Sequence, residues 1–133
     1  MTQDEHRLQI RVYYEDTDMA GIVYYANYLR FIERGRSTMV TDLGLDQKRM
    51  KDEDGIVFAV RRVEADYLGS AVLDDILDVV SVTSEVTPVR WVFDQRVERA
   101  GKVLFRARVE AVCMTLAGRP VRLPAELRRL MQH

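Results

Sequence analysis

The sequence predicts an α+β domain in which a five-stranded antiparallel sheet curls around one long helix. Three observations carry that prediction. Apolar side chains recur at three- and four-residue steps in a single long stretch, from about Tyr25 to Leu43. A short alternating segment precedes that stretch, and four longer strand-like segments follow it with no second long helical period. At 133 residues the chain is the size of one domain, spanning residues 1–133.

Residues 8–14, Leu-Gln-Ile-Arg-Val-Tyr-Tyr, alternate apolar and polar and read as a strand with one wet face. An acidic loop follows. In the helix, Tyr28, Phe31, Ile32, Gly35, Met39 and Leu43 form the apolar stripe, while Arg30, Glu33, Arg34 and Arg36 fall largely elsewhere. Asn27 has the propensity of an N-cap, but a start one or two residues earlier aims the Tyr25 N–H at the loop, and that start is expected. Gly35 costs about 1 kcal/mol against alanine inside a helix. It is either the site of a close backbone approach or an ordinary tolerated glycine, and Gly44 stops the helix.

Residues 45–55 are highly charged, end in Asp-Gly, and read as a solvated short helix or loop. The four strand-like segments are 56–68, 76–87, 89–99 and 103–116, expected to run as a meander. The third places Val89, Trp91, Phe93 and Val97 on one face; the fourth repeats the pattern from Val103 to Cys113, with Ala100-Gly101 as a tight hairpin between them. Pro88 separates the second from the third, and Leu68-Gly69-Ser70-Ala71 with Asp74-Asp75 breaks the first from the second. From Pro124 to Met131, a proline at a helix-start position and leucines at 127 and 130 predict a terminal helix. Long strands covered by one helix leave an apolar edge to hide, so a homodimer or homotetramer is expected.

Composition narrows the chemistry. Acidic and basic side chains are nearly balanced and interspersed, at 21 and 20, which argues against a nucleic-acid partner. No stretch approaches a membrane span and the N-terminal residues lack a secretory pattern, so a cytoplasmic location is expected. The two histidines, His6 and His133, sit near the termini, and with one cysteine there is no ligand cluster; neither a metal nor another cofactor is expected. Cys113 reads as a small buried hydrophobe. Acid or base work therefore falls to Asp, Glu, Lys or Tyr.

The run from Tyr13 to Tyr28 holds what chemistry remains. Asp18 stands seven residues before Tyr25, with Gly21 between them. A carboxylate can attack or deprotonate, and the free N–H groups that open a helix can hold the negative oxygen developing on a carbonyl. That pairing fits acyl transfer to water. Asp16, so close to Asp18, reads as a residue that caps or orients the loop, because a second neighbouring charge would raise the pKa of an attacking carboxylate.

The segment Arg11-Val12-Tyr13-Tyr14-Glu15-Asp16-Thr17-Asp18, continuing through Gly21-Ile22-Val23-Tyr24-Tyr25-Ala26-Asn27-Tyr28 to Phe31, Glu33, Arg34 and Arg36, resembles the hotdog-fold thioesterases of the 4-hydroxybenzoyl-CoA thioesterase type. More closely it resembles the YbgC-like, Tol-Pal-associated acyl-CoA thioesterases, and the likeness covers nearly the whole chain. It implies a hotdog fold and hydrolysis of a short-chain aliphatic or aromatic acyl-CoA to the free acid and CoA. Asp18 matches the catalytic aspartate, as nucleophile or as base, and the Tyr25 main-chain N–H matches the carbonyl polariser. Gly21 and Val23, in the Asp-x-x-Gly-x-Val signature, are counted with substrate binding. Arg90 and Arg122 lie in regions similar to the family's phosphate contacts. The YbgC-like pattern often has histidine where this chain has Tyr25, which removes an imidazole but leaves a backbone donor intact. Acyl carrier protein is a further partner to consider. Two alternatives remain: a non-catalytic protein that binds acyl-CoA or carrier protein, and a hotdog-fold hydratase or dehydratase, which this chain supplies with no central histidine.

Overall fold

The computed structural model describes residues 4–130. Strand β1, His6–Arg11, stops short of the tyrosines because the Asp16 carboxylate accepts the Tyr13 N–H at 2.9 Å and closes a 3-10 turn over Tyr14–Asp16. Helix α1 spans Asn27–Asp42 and is followed by a single turn, α2, at Gln47–Arg49, and a π turn at Met50–Asp54. Strands β2 (Ile56–Tyr67), β3 (Ile76–Val86), β4 (Trp91–Arg99) and β5 (Lys102–Thr115) make the sheet. A two-residue strand β6, Pro120–Val121, and helix α3, Ala125–Leu130, complete it. Met131, the expected last residue of that helix, lies outside the described residues.

The expected five-stranded antiparallel sheet is present, but not as a meander. The order is β1-β3-β4-β5-β2, with β6 added beside β5 through Cys113↔Val121 and Met114↔Pro120. Only β3, β4 and β5 follow one another across the sheet. Residues 68–75 are a crossover and not a hairpin turn: the Leu68 and Gly69 N–H groups both reach the Leu104 carbonyl, holding β2 against β5, before the chain crosses to begin β3 beside β1. Strand β2 is thereby left at an edge of the sheet.

Core side chains come from one face of each element. Tyr28, Phe31, Ile32 and Met39 of α1 meet Leu77, Val79, Trp91, Phe93, Phe105 and Val109, and Leu123 and Leu127 join from the tail. Val89, assigned by alternation to the Trp91 face, is instead exposed, because β4 begins only after the turn at Pro88. Gly35 sits where α1 crosses the sheet. A Cβ built there would lie 2.6 Å from Val79 Cγ1 and 3.1 Å from Ser81 Oγ, so the close approach is to side chains of β3. The same crossing holds a polar knot, in which buried Gln95 donates to the Ile32 carbonyl and to Ser81 Oγ, each at 2.8 Å, and accepts from Arg36 Nη1 at 2.9 Å.

Candidate active site

The acidic loop is a small hairpin whose backbone holds its shape. Asp18 N–H donates to the Ile22 carbonyl at 2.9 Å, Gly21 N–H to the Asp18 carbonyl at 3.0 Å, and Thr17 pairs with Val23. Gly21 takes φ +80, the left-handed region that a glycine enters without steric cost. The hairpin is clamped to the crossover: Val23 N–H donates to the Ala71 carbonyl at 2.9 Å, Ile22 pairs with Val72, and Ala71 N–H donates to the buried Tyr28 hydroxyl oxygen at 2.9 Å. Burial raises the Tyr28 pKa, so its hydroxyl stays protonated and neutral at neutral pH.

Asp16 behaves as its sequence context predicts. It is buried, its carboxylate closes the turn at Tyr13, and its carbonyl accepts both the Tyr24 N–H and the Asn27 side-chain amide at 2.9 Å. Asn27 is therefore not an N-cap. Its amide is committed to the loop, Ala26 takes the N-cap position, and the regular helix starts at Asn27, one residue earlier than an Asn27 cap would give, in keeping with the earlier start expected. The first coil opens earlier still, through i to i+3 bonds from Asn27 N–H to the Tyr24 carbonyl and from Tyr28 N–H to the Tyr25 carbonyl. Among the described residues the Tyr25 N–H has no acceptor.

Asp18 is exposed at the hairpin. One carboxylate oxygen, Oδ1, accepts the Ala20 N–H at 2.8 Å in an Asx-turn, and Oδ2 has no partner among the described residues. Asp18 thus combines a turn-forming role with an oxygen left free. The loop strands 16–18 and 22–24 run side by side into the helix start, which brings Asp18, Gly21, Val23 and Tyr25 into one region. The Tyr25 ring is exposed and packs edge-on against Tyr67 of β2 at 6.0 Å between centroids.

Arg90 and Arg122 come together elsewhere. They line one groove with Arg61, which sequence reading missed, over a floor including Val89, Val112 and Val121. Arg90 is partly balanced by Glu85 at 3.6 Å and Glu110 at 3.9 Å, yet its Nε is buried without an acceptor. Arg61 and Arg122 form no ion pair among the described residues. Arg61 is six residues along β2 from Tyr67, about 20 Å at the rise of a strand, so this cationic groove and the Asp18 loop are well separated. The signal for Arg61 is the β-bulge between Val60 and Arg62, visible only in the register with β5.

Other groups lie apart from the loop. His6 Nε2 is 2.8 Å from Asp42 Oδ2 at the far end of α1, about 24 Å along the axis from the helix start. Burial pushes the Cys113 thiol up to about 11, which keeps it un-ionised at neutral pH. Among the described residues no cluster of His, Cys, Asp or Glu is suited to a metal, and no helix is long and apolar enough to cross a membrane.

A family model described as the Thioesterase-like superfamily matches residues 12–130. The chain is 38% identical over 125 residues to an acyl-CoA thioesterase YbgC of Haemophilus influenzae, covering 93% of this chain and 92% of that protein. Among solved structures, a probable thioesterase from Bartonella henselae superimposes with a TM-score of 0.87 at 34% identity, covering 91% of this chain and 100% of its own. A 4-hydroxybenzoyl-CoA thioesterase from a Pseudomonas strain gives a TM-score of 0.88 at 26% identity, covering 95% and 98%.

Proposed function

The chain belongs to the thioesterase-like superfamily and has its hotdog fold, and from that membership we propose that it hydrolyses acyl-CoA thioesters at the Asp18 loop. The observation that carries this reading is that the hairpin leading into α1 offers, among the described residues, both a carboxylate oxygen without a partner, on Asp18, and an unused amide, on Tyr25. The Tyr25 N–H polarises the thioester carbonyl and holds the oxyanion. Asp18 attacks the carbonyl carbon, forming an anhydride that water opens, or takes the proton from an attacking water. By either route the C–S bond breaks, one water is consumed to give the free acid, and the thiolate leaves and takes up a proton. A thiolate is a good leaving group, which is why so sparse a site suffices. His6 is too distant to serve a hydratase. The test is thiol release from a panel of acyl-CoAs: turnover on at least one supports the reading, and none on any chain length or aromatic acyl group overturns it.

The Arg61, Arg90 and Arg122 groove is the proposed hold for the phosphates of coenzyme A, because guanidinium forks match phosphate oxygens. Its distance from Asp18 suits a substrate whose reactive carbon and phosphates are separated by a long arm. Replacing Arg90 and Arg122 together by alanine is expected to raise KM for an acyl-CoA roughly tenfold while kcat changes little, since these contacts hold substrate and transition state alike. A fall in kcat with unchanged KM, read from steady-state kinetics, would contradict that role.

The free edge of β2 is the proposed seam for a second copy. It is twelve residues long and its residues from 60 onward are exposed, including Val60, Val63 and Tyr67, whereas the opposite edge, β1, has six residues interrupted by Arg7 and Arg11. Such an edge pairs readily with its own kind. Light scattering should give at least twice the 15.4 kDa of the chain; a monomer at micromolar concentration would refute it. Acyl carrier protein as an alternative carrier and a cytoplasmic location accompany the same reading.

A further inference from the structure

We propose that Arg36 selects the acyl group, favouring chains that carry an oxygen acceptor at the end remote from the thioester. The inference rests on the thioesterase reading above and adds to it the kind of acyl chain.

The starting observation is a cavity lined by both α1 and β2; the facing rows of the two elements imply a furrow that leads to it from the Tyr25 end. On the helix, Tyr25, Leu29, Glu33, Arg36 and Val40 succeed one another at three- and four-residue steps and so share one stripe. Opposite them, Tyr67, Ala65 and Val63 face inward, paired with the buried Phe105, Ala107 and Val109. Past the bulge at Arg61, Val60 and Phe58 face the same way, paired with Ala111 and Cys113. The bulge keeps the inner row apolar along the whole strand. One end of the furrow is closed by the Tyr25 and Tyr67 rings; Leu29 and Val63, each 40% exposed, stand along its middle.

At the other end it deepens into a cavity of about 220 Å³ lined by Arg36, Val40, Phe58, Val60, Trp91 and Phe93. A chain whose carbonyl sits at the Tyr25 amide and whose tail follows the furrow arrives at Arg36. The two positions are eleven residues apart, roughly 16 Å along the helix axis, shortened because helical side chains lean toward the N-terminus.

Arg36 is an unusual residue to find at the end of an apolar furrow. It is half-buried, only Nη1 makes a hydrogen bond, to Gln95, and among the described residues it has no carboxylate within 4.0 Å. Glu33 is the one acid lining the cavity. It is exposed, bonded by the Ser37 hydroxyl at 3.2 Å, and balances the guanidinium charge only from a distance. Burial lowers the Arg36 pKa, which reflects the cost of a charge in a dry place. A methyl-ended chain filling the cavity strips water from the unused N–H groups and returns nothing. A carboxylate or hydroxyl end gives them an acceptor. Sites with buried polar groups reject ligands that leave those groups unpaired.

The test compares octanoyl-CoA with suberoyl-CoA, which has the same number of carbons and a carboxylate at the far end. Wild-type enzyme is expected to favour suberoyl-CoA in kcat/KM by roughly tenfold, mostly through KM. Arg36→Met should erase or reverse that preference, and Arg36→Lys should restore part of it. If Arg36 merely supports Gln95, the Met variant melts earlier but keeps the wild-type ratio, which would overturn the proposal. A wild-type ratio of one or below overturns it as well, without recourse to any variant. If wild type hydrolyses neither these nor any other acyl-CoA, the thioesterase reading falls and this inference with it; hydrolysis of both without preference removes this inference alone.

Discussion

Asp18→Asn is expected to lower thiol release from a good acyl-CoA substrate by roughly 10³-fold, with KM little changed. The amide can neither attack the carbonyl nor take a proton from water, and positioned bases are commonly worth 10²–10⁴-fold. The substitution isolates chemistry from folding, because the native carboxylate uses Oδ1 to accept the Ala20 N–H and an asparagine carbonyl can do the same. Asp18 is exposed, so stability should remain within about 0.5 kcal/mol of wild type. The measurement is initial rate by thiol trapping, paired with urea unfolding. Wild-type turnover by the asparagine variant would remove Asp18 from the reaction. The Tyr25 amide offers no comparable substitution, since its contribution lies in the main chain.

Gly35→Val should produce a large loss of stability away from the site, about 3 kcal/mol. Any Cβ at that position meets Val79 Cγ1 at 2.6 Å, well inside contact distance, and Ser81 Oγ at 3.1 Å. Val79 is fully buried, and the adjoining Ser81 and Gln95 are tied to each other and to the helix backbone. None can yield without breaking a hydrogen bond or lifting α1 from the sheet. Alanine would recover up to about 1 kcal/mol of helix propensity against the same clash, so it should lose less than valine but still lose. Urea midpoints with an unchanged slope would report this; a valine variant as stable as wild type would show that the crossing is looser than its distances indicate.

These two positions mark what the sequence makes legible and what it does not. Periodicity located the helix and the strands because burial on one face leaves a pattern within each element. Strand order has no such local imprint: β2 and β3 are neighbours in the chain, and the contacts of 68–75 with Leu104 and with Ile22–Val23 that send them to opposite sides of the sheet join distant residues. The loop of Asp18, Gly21 and Val23 was visible as a compact motif. The role of Asn27 was not, since its propensity as a cap was outweighed by a tertiary bond to Asp16. Arg90 and Arg122 are pointed to by resemblance, whereas Arg61 emerges only from the register of β2 on β5. The cost of Gly35 is legible in the sequence, and only packing reveals the side chains that demand it.

The Ala71 clamp has a temporal consequence. The hairpin carrying Asp18 is held in place by residue 71 through the Val23 amide and the Tyr28 hydroxyl, so its shape depends on a stretch made some fifty residues later. A polypeptide emerging from the ribosome therefore carries Asp18 long before it carries the residue that clamps its hairpin. The hairpin takes its clamped shape when the crossover docks, and under the proposed function a nascent fragment ending before that point is expected to release no thiol from an acyl-CoA.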